Sequence, residues 1–295
     1  MKRLLVRPGL LSVLLGALLV GACAHLKEGE TAAAPIRAMT FNIRLDTDSD
    51  GPDAWPHRKE MVAALIRREA PDLLGMQEVL FHQKRYLEEA LPRYAFVGVG
   101  RDDGAQAGEF SPLAWRNDRF DVLRSGTFWL SPTPDVAGSK GWDAALPRIA
   151  TWAVLRDRRS GETIRALNTH FDHVGSRARA EAARTIAEWV ASDSGTPAVV
   201  MGDFNAEPGS APYRILADTA RSGLVDTRSA SRSPPYGPPG TFTGFDIAAA
   251  SEAPIDHVFA TPDFTISAHA VVTQHWGGRL PSDHYPVVVD LEKER

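Results

Sequence analysis

Short apolar runs that stop abruptly at a polar side chain recur along the whole chain, and this pattern restricts the fold more than any other feature. In Ala198-Val199-Val200-Met201-Gly202-Asp203-Phe204-Asn205 the apolar run has the length and β-branching of a buried strand, and Gly202 lets the backbone turn just before Asp203. Asp203 and Asn205 lie two apart, so continued strand geometry would point both to one side. Ile36 to Ile43 alternates like a strand and delivers Asn42 at its end, followed by an acid-rich loop, Asp46 to Gly51. Asp72 to Val79 likewise delivers Glu78. Thr163 to Asn168 runs into His170, Asp172 and His173. Ile255 to Phe259 carries Asp256, and Pro281-Ser282-Asp283-His284 stands before a last strand, Pro286 to Leu291.

Helical spacing appears only between some of these strands. Met61, Val62, Leu65 and Ile66 recur on one face between Pro56 and Pro71, Gln83 to Leu91 reads as a second helix, and Arg177 to Ser192 is the clearest of all. A short helix is expected over Ala211 to Ala217. Tyr94 to Val99 and Phe264 to Val272 add strands. Leu113 to Trp115 and Phe120 to Leu130 read as a hairpin, and Thr151 to Leu155 pairs with Thr163 to Asn168. Strands outnumber long helices and hairpin spacing is common, so a large, mostly antiparallel α/β sandwich fits better than regular βαβ alternation. Polar residues gathered at strand exits place a site at one edge of packed sheets. Two irregular stretches, Gly100 to Gly104 and the proline-rich Ser229 to Gly240, are expected to shape it.

The first residues belong to a different logic. Lys2, Arg3 and Arg7 precede the apolar run Leu10 to Val20, which is shorter than the ~20 residues needed to span a bilayer. Val20-Gly21-Ala22-Cys23 reads as a lipoprotein cleavage box, and Cys23 is the single cysteine of the chain. The expectation is a signal peptide over 1–22, a flexible tether over 23–34 and one catalytic domain over 35–295. The protein would then be an exported, membrane-anchored bacterial lipoprotein, on the periplasmic or cell-surface side, and a monomer. With Cys23 acylated, no thiol remains for disulfides, and any metal must take oxygen and nitrogen ligands. Losing three basic residues takes the formal net charge from −4 to −7. A chain that acidic does not suit stable binding to nucleic acid.

Each polar strand end has a structural explanation when taken alone. Together they match one chemistry: hydrolysis of a phosphate ester needs a hard cation with carboxylate and amide ligands, a base for water, donors to the developing charge and an acid for the leaving oxygen. Met39-Thr40-Phe41-Asn42, Gly75-Met76-Gln77-Glu78, Asn168-Thr169-His170, Gly202-Asp203-Phe204-Asn205, Ile255-Asp256-His257 and Ser282-Asp283-His284 occur in the order of the endonuclease/exonuclease/phosphatase superfamily. The chain resembles that superfamily over about Ile36 to Leu291.

The resemblance implies a deoxyribonuclease I-like fold, a four-layer α/β sandwich of two mostly antiparallel β-sheets flanked by helices. It implies Mg²⁺ (or Mn²⁺) as cofactor, held by Glu78 with Asn42 and Asp283 nearby. Asp203 would orient or deprotonate the attacking water, and Asn205 would hold the phosphate. His284 would pair with Asp256, and His170 would stabilise the transition state or protonate the leaving group. Glu109 is a candidate orienting partner for His170, and Arg148 a candidate phosphate contact. Arg44 departs from the pattern, since abasic-site endonucleases carry an acid there, which disfavours repair activity. Trp55, Arg58, Asp172, His173 and the phrase Gly126 to Ser131 resemble an uncharacterised bacterial branch. The expected function is Mg²⁺-dependent phosphoric ester hydrolysis, by a phosphodiesterase or phosphatase acting on a small phosphoester or lipid head group. The alternatives are a nuclease acting on DNA or RNA, and an inactive binding protein on the same scaffold. His25, His269 and His275 are expected to tolerate replacement.

Overall fold

A computed structural model describes residues 35–293; the expected signal peptide and tether, with Cys23, lie outside the described residues. The first half contains β1 (Ile36–Asn42), a 3-10 turn (Asp48–Asp53) in place of an open acidic loop, α1 (Trp55–Glu69), β2 (Leu73–Gln77), α2 (Phe81–Ala90), β3 (Tyr94–Val97) and β4 (Leu113–Arg116). Next come β5 (Phe120–Trp129), β6 (Ile149–Asp157), β7 (Thr163–His170), α3 (Ser176–Ala191) and β8 (Ala198–Asp203). The chain closes with α4 (Ala211–Ala217), α5 (Thr219–Ser222), β9 (Val225–Asp226), α6 (Thr227–Ala230), β10 (Asp256–Ala260), β11 (Phe264–Val271) and β12 (Val287–Lys293).

These strands form two six-stranded sheets, ordered β11-β12-β1-β2-β4-β3 and β5-β6-β7-β8-β10-β9. Each has one parallel pair near its middle, β1 with β2 and β7 with β8, and every other neighbour is antiparallel. Parallel neighbours need a long crossover, which α1 and α3 supply. Alternation along the central strands sorts their side chains into layers. Ala38, Leu73, Val199 and Met201 fill the space between the sheets. Met39, Phe41, Leu74 and Met76 face Val62, Leu65 and Ile66 of α1, while Leu167, Val200 and Phe259 face Ala182, Ile186 and Val190 of α3. The result is the expected four-layer sandwich.

The two sheets meet in close contact behind the polar strand ends. A Cβ on Gly75 would stand 2.5 Å from Asn168 Oδ1, so only glycine admits this contact. Asn168 Nδ2 donates to the carbonyls of Met76 (2.7 Å) and Pro112 (2.9 Å), and its Oδ1 accepts from Gln77 Nε2 (2.6 Å). This motif residue therefore ties one sheet to the other.

The expected hairpin of Leu113–Trp115 with Phe120–Leu130 does not form. β4 pairs with β2 and β3, whereas β5 pairs with β6 in the other sheet. The turn between them carries the chain across the sandwich. Buried Arg119 pins that crossing, with its guanidinium 2.6 Å from Asp72 Oδ2 and 2.8 Å from Asp157 Oδ2. Among the described residues, no helix is long and apolar enough to cross a membrane.

Candidate active site

Three central strands end at the same edge, and each leaves its sheet through a residue in the left-handed region. Arg44 follows β1 at φ 59°, Glu78 follows β2 at φ 60°, and Asn205 follows β8 at φ 45°. Non-glycine residues adopt this region at a cost of about 1–3 kcal/mol, and it occurs preferentially at functional sites. Strand geometry therefore does not persist from Asp203 to Asn205. Asp203 Oδ1 instead accepts the Asn205 backbone N–H (2.9 Å), a tight turn that brings both side chains to the cleft. Gly202 is required just before it, because a Cβ there would lie 2.2 Å from the Thr169 carbonyl oxygen.

The structure gathers Asn42, Glu78, Glu109, Arg148, His170, Asp203, Asn205, Asp256, Asp283 and His284 around one cleft of about 520 Å³. Asn42 Nδ2 donates to Glu78 Oε1 (3.0 Å) and to Asp203 Oδ2 (3.0 Å), while its Oδ1 accepts from the Arg44 N–H (3.0 Å). Asn42 thus presents its donor side to both carboxylates. His284 Nδ1 lies 2.8 Å from Asp256 Oδ2, and its Nε2 lies 3.8 Å from Asp203 Oδ2. Asn205 Nδ2 reaches His170 Nε2 (3.1 Å) and the Phe171 carbonyl (3.0 Å). His170 Nδ1 faces Glu109 Oε2 at 3.9 Å.

Burial and charge set the protonation states. Burial, reinforced by the charge of Asp256, pushes the Asp203 carboxyl up to about 7. Burial acts to lower the His284 imidazole, but the charge and hydrogen bond of Asp256 and the charges of Asp203 and Asp283 prevail and raise it to about 10. His170 goes the other way: burial, then the charges of Arg148 and Arg101, hold it well below its ordinary value. Two histidines in one cleft are therefore one cationic and one neutral. Burial also raises Asp283 and Glu109.

Arg44, noted in the sequence only as a departure, is central here. Asp50 holds its guanidinium through two bonds (2.9 and 3.0 Å), and it stands 3.7 Å from Glu78 Oε2 and 3.8 Å from Asp283 Oδ2. The two carboxylates thus share one guanidinium, and carboxylate oxygens are the ligand type that a hard divalent cation takes. Among the described residues, Asp203, Asp256 and His284 also bring candidate ligand atoms within 4.8 Å of one another. Within it Asp256 Oδ2 accepts from His284 Nδ1 and Asp203 faces the other nitrogen, while Asp256 Oδ1 has no hydrogen-bond partner among the described residues. The cationic imidazole already supplies positive charge there, so the carboxylates of Glu78 and Asp283 fit a cation better.

Arg58 organises this corner from behind. Fully buried, it donates to the carbonyls of Asp53 (2.8 Å), Ile43, Arg44 (2.7 Å), Leu45 (3.2 Å) and Pro281 (3.2 Å), joining the loop after Asn42 to the turn before Asp283. Burial lowers it to about 10.

Neither Gly100–Gly104 nor Ser229–Gly240 lines the cleft. Its walls are Leu45, Leu146, Phe242 and Ile255, and His173 stands at its mouth. Arg101 is instead drawn inward by a bidentate pair with Glu109 (2.7 Å for both bonds). His269 is also buried, with Nδ1 3.2 Å from Thr227 Oγ1, so it is part of the core.

Two mixed sheets flanked by helices, with acids, amides and histidines meeting at their common edge, define a class of phosphoester hydrolases. The chain belongs to the endonuclease/exonuclease/phosphatase family, whose model matches residues 39–284. Among solved structures, an endonuclease/exonuclease/phosphatase family protein from Bacteroides thetaiotaomicron is 36% identical, with a TM-score of 0.85 over 88% of this chain and 98% of that one. A mannosyl-6-phosphatase from the same organism is 36% identical, with a TM-score of 0.83 over 87% and 99%. Nocturnin of Drosophila melanogaster is 24% identical over 328 residues, covering 92% of this chain, which spans about half (48%) of its length.

Proposed function

We propose that the chain is a divalent-metal-dependent phosphomonoesterase acting on a small phosphate ester, with sugar phosphates foremost. The observation that carries this reading is the convergence on Asp203 of Asn42 Nδ2 and the Asn205 N–H, with His170 Nε2 at 3.5 Å and His284 Nε2 at 3.8 Å. A carboxylate near neutrality, held by fixed donors, suits the base that takes a proton from attacking water. His284, kept cationic by Asp256, donates to charge developing on phosphorus oxygens, and Asn205, whose Nδ2 reaches His170 Nε2 and the Phe171 carbonyl, holds His170 beside it. Neutral His170, with Glu109 facing its Nδ1, serves the leaving oxygen. Glu78 and Asp283 would hold a divalent cation, which when bound would supply Lewis-acid polarisation of the phosphoryl group. The residues that line the cleft include four acids (Glu78, Glu109, Asp203, Asp283) against three cations (Arg44, Arg148, His284), so an anionic ester needs that added positive charge to enter.

Small substrates are favoured over nucleic acid because Arg44, Arg101 and Arg148 are each committed to an acid, Asp50, Glu109 and Asp172. No cationic track is left over from them for a polyanion. Likeness to a mannosyl-6-phosphatase along nearly the full length of both chains supports the sugar ester. The same reading includes export, a lipid anchor on Cys23 and a monomeric enzyme, and rests there on the sequence. A hydrolysis screen with Mg²⁺ and Mn²⁺ across sugar phosphates, nucleotides, phospholipids and nucleic acids tests it. Phosphate release from sugar phosphates, stopped by chelator, is expected. Cleavage of nucleic acid without turnover of small esters would overturn it.

A further inference from the structure

The cleft carries donors that the described residues leave unused. Arg148 is buried and lines the cleft. Its Nε lies 3.4 Å from Asp172 Oδ2 and its Nη2 lies 3.0 Å from His173 Nδ1, whereas Nη1, also buried, has no hydrogen-bond partner among the described residues. A guanidinium can only donate, so His173 Nδ1 is the acceptor. The neutral imidazole then carries its proton on Nε2. His173 is exposed and lines the cleft with Arg148, so that the pair brings two N–H donors to the side of the cleft next to His170. Leu146 and Phe242, 37% and 42% exposed, add apolar walls, and the Phe242 ring packs edge-on against His284 at 5.2 Å.

Resting on the phosphomonoester reading above, we propose that Arg148 and His173 form a subsite for the leaving group. It takes a neutral polyhydroxylated ring, whose oxygens accept from Arg148 Nη1 and His173 Nε2 and whose carbon face lies on the apolar wall. A buried donor without a partner is unfavourable until a ligand supplies an acceptor. A second anionic group is rejected. Arg148 already has Asp172, so its charge is offset before a second anionic group arrives.

The test uses the full chain with Mg²⁺ and the exposed member of the pair, as His173→Phe and His173→Ala. Values of kcat/KM are compared for mannose 6-phosphate, mannose 1,6-bisphosphate and phenyl phosphate. In the native protein the monophosphate should be preferred over both others. In the variants the ratio of mannose 6-phosphate to phenyl phosphate should fall at least tenfold, mainly through KM. An unchanged ratio, or a native preference for the bisphosphate, overturns the subsite. Calorimetric titration with mannose 6-sulfate, which needs no turnover, separates this from the activity reading. Binding weakened at least fivefold by His173→Phe supports the subsite, even were no phosphate ester hydrolysed. Equal binding by native protein and variant, or none by either, overturns it.

Discussion

His284 Nδ1 lies 2.8 Å from Asp256 Oδ2, with both side chains buried, and this contact keeps the imidazole charged where burial alone would neutralise it. Asp256→Asn retains the shape and removes the charge. Turnover should fall on the order of 10²–10⁴, as for His284→Ala, with the folded state intact by circular dichroism. A loss below fivefold in either variant would remove the pair from the chemistry.

Glu78 and Asp283 share the Arg44 guanidinium at 3.7 and 3.8 Å, a weak substitute for a divalent cation. Activity should vanish in excess chelator and return with Mg²⁺ or Mn²⁺. Glu78→Ala should raise the metal concentration for half-maximal rate by at least tenfold. Full activity in chelator would sink the assignment.

His269 gives stability a pH dependence. Burial lowers it from its ordinary 6.5 to about 4, with Asp226 acting against and Arg228 and His257 acting with that shift. The unfolded chain therefore holds the extra proton between those values. This contribution is fully present above about pH 6.5 and is lost as pH falls toward 4, at most roughly 3 kcal/mol. His269→Gln should flatten the acid limb in urea denaturation at pH 4.5 against 7.5. An identical limb in both proteins would assign it elsewhere.

Arg58 holds five backbone carbonyls and no carboxylate. Arg58→Met takes the donor from these carbonyls, of which, among the described residues, only that of Arg44 keeps another, Gln83 Nε2, and should cost about 2–4 kcal/mol by denaturation. Because the carbonyls belong to the loops carrying Asn42 and Asp283, the metal requirement should rise as well. A stability loss with an unchanged metal requirement would limit Arg58 to packing.

Cys23→Ala should abolish acylation and keep the protein out of the membrane fraction. Unchanged electrophoretic migration and fractionation would remove the anchor.

Much of this protein is written locally. A buried strand must be apolar and its exit polar, so Ala198–Asp203 and the strands ending at Asn42 and Glu78 are legible from a few residues each. The helix Ser176–Ala191 shows through its apolar stripe for the same reason. Those exits, read in order, carry the family resemblance. What the tertiary structure decided depends on partners far apart in the chain. Asn42 meets Asp203 across 161 positions and Arg58 meets Pro281 across 223, and no local pattern encodes either. The crossing from β4 to β5 is pinned by Arg119 finding Asp72, just before β2, and Asp157, at the end of β6 in the other sheet. Charges, too, act through space: the same residue type is cationic at His284, beside Asp256, and neutral at His170, beside Arg148 and Arg101. Sequence named the candidate groups because strand ends are a local matter; only the packing of two sheets set their protonation, orientation and surrounding walls.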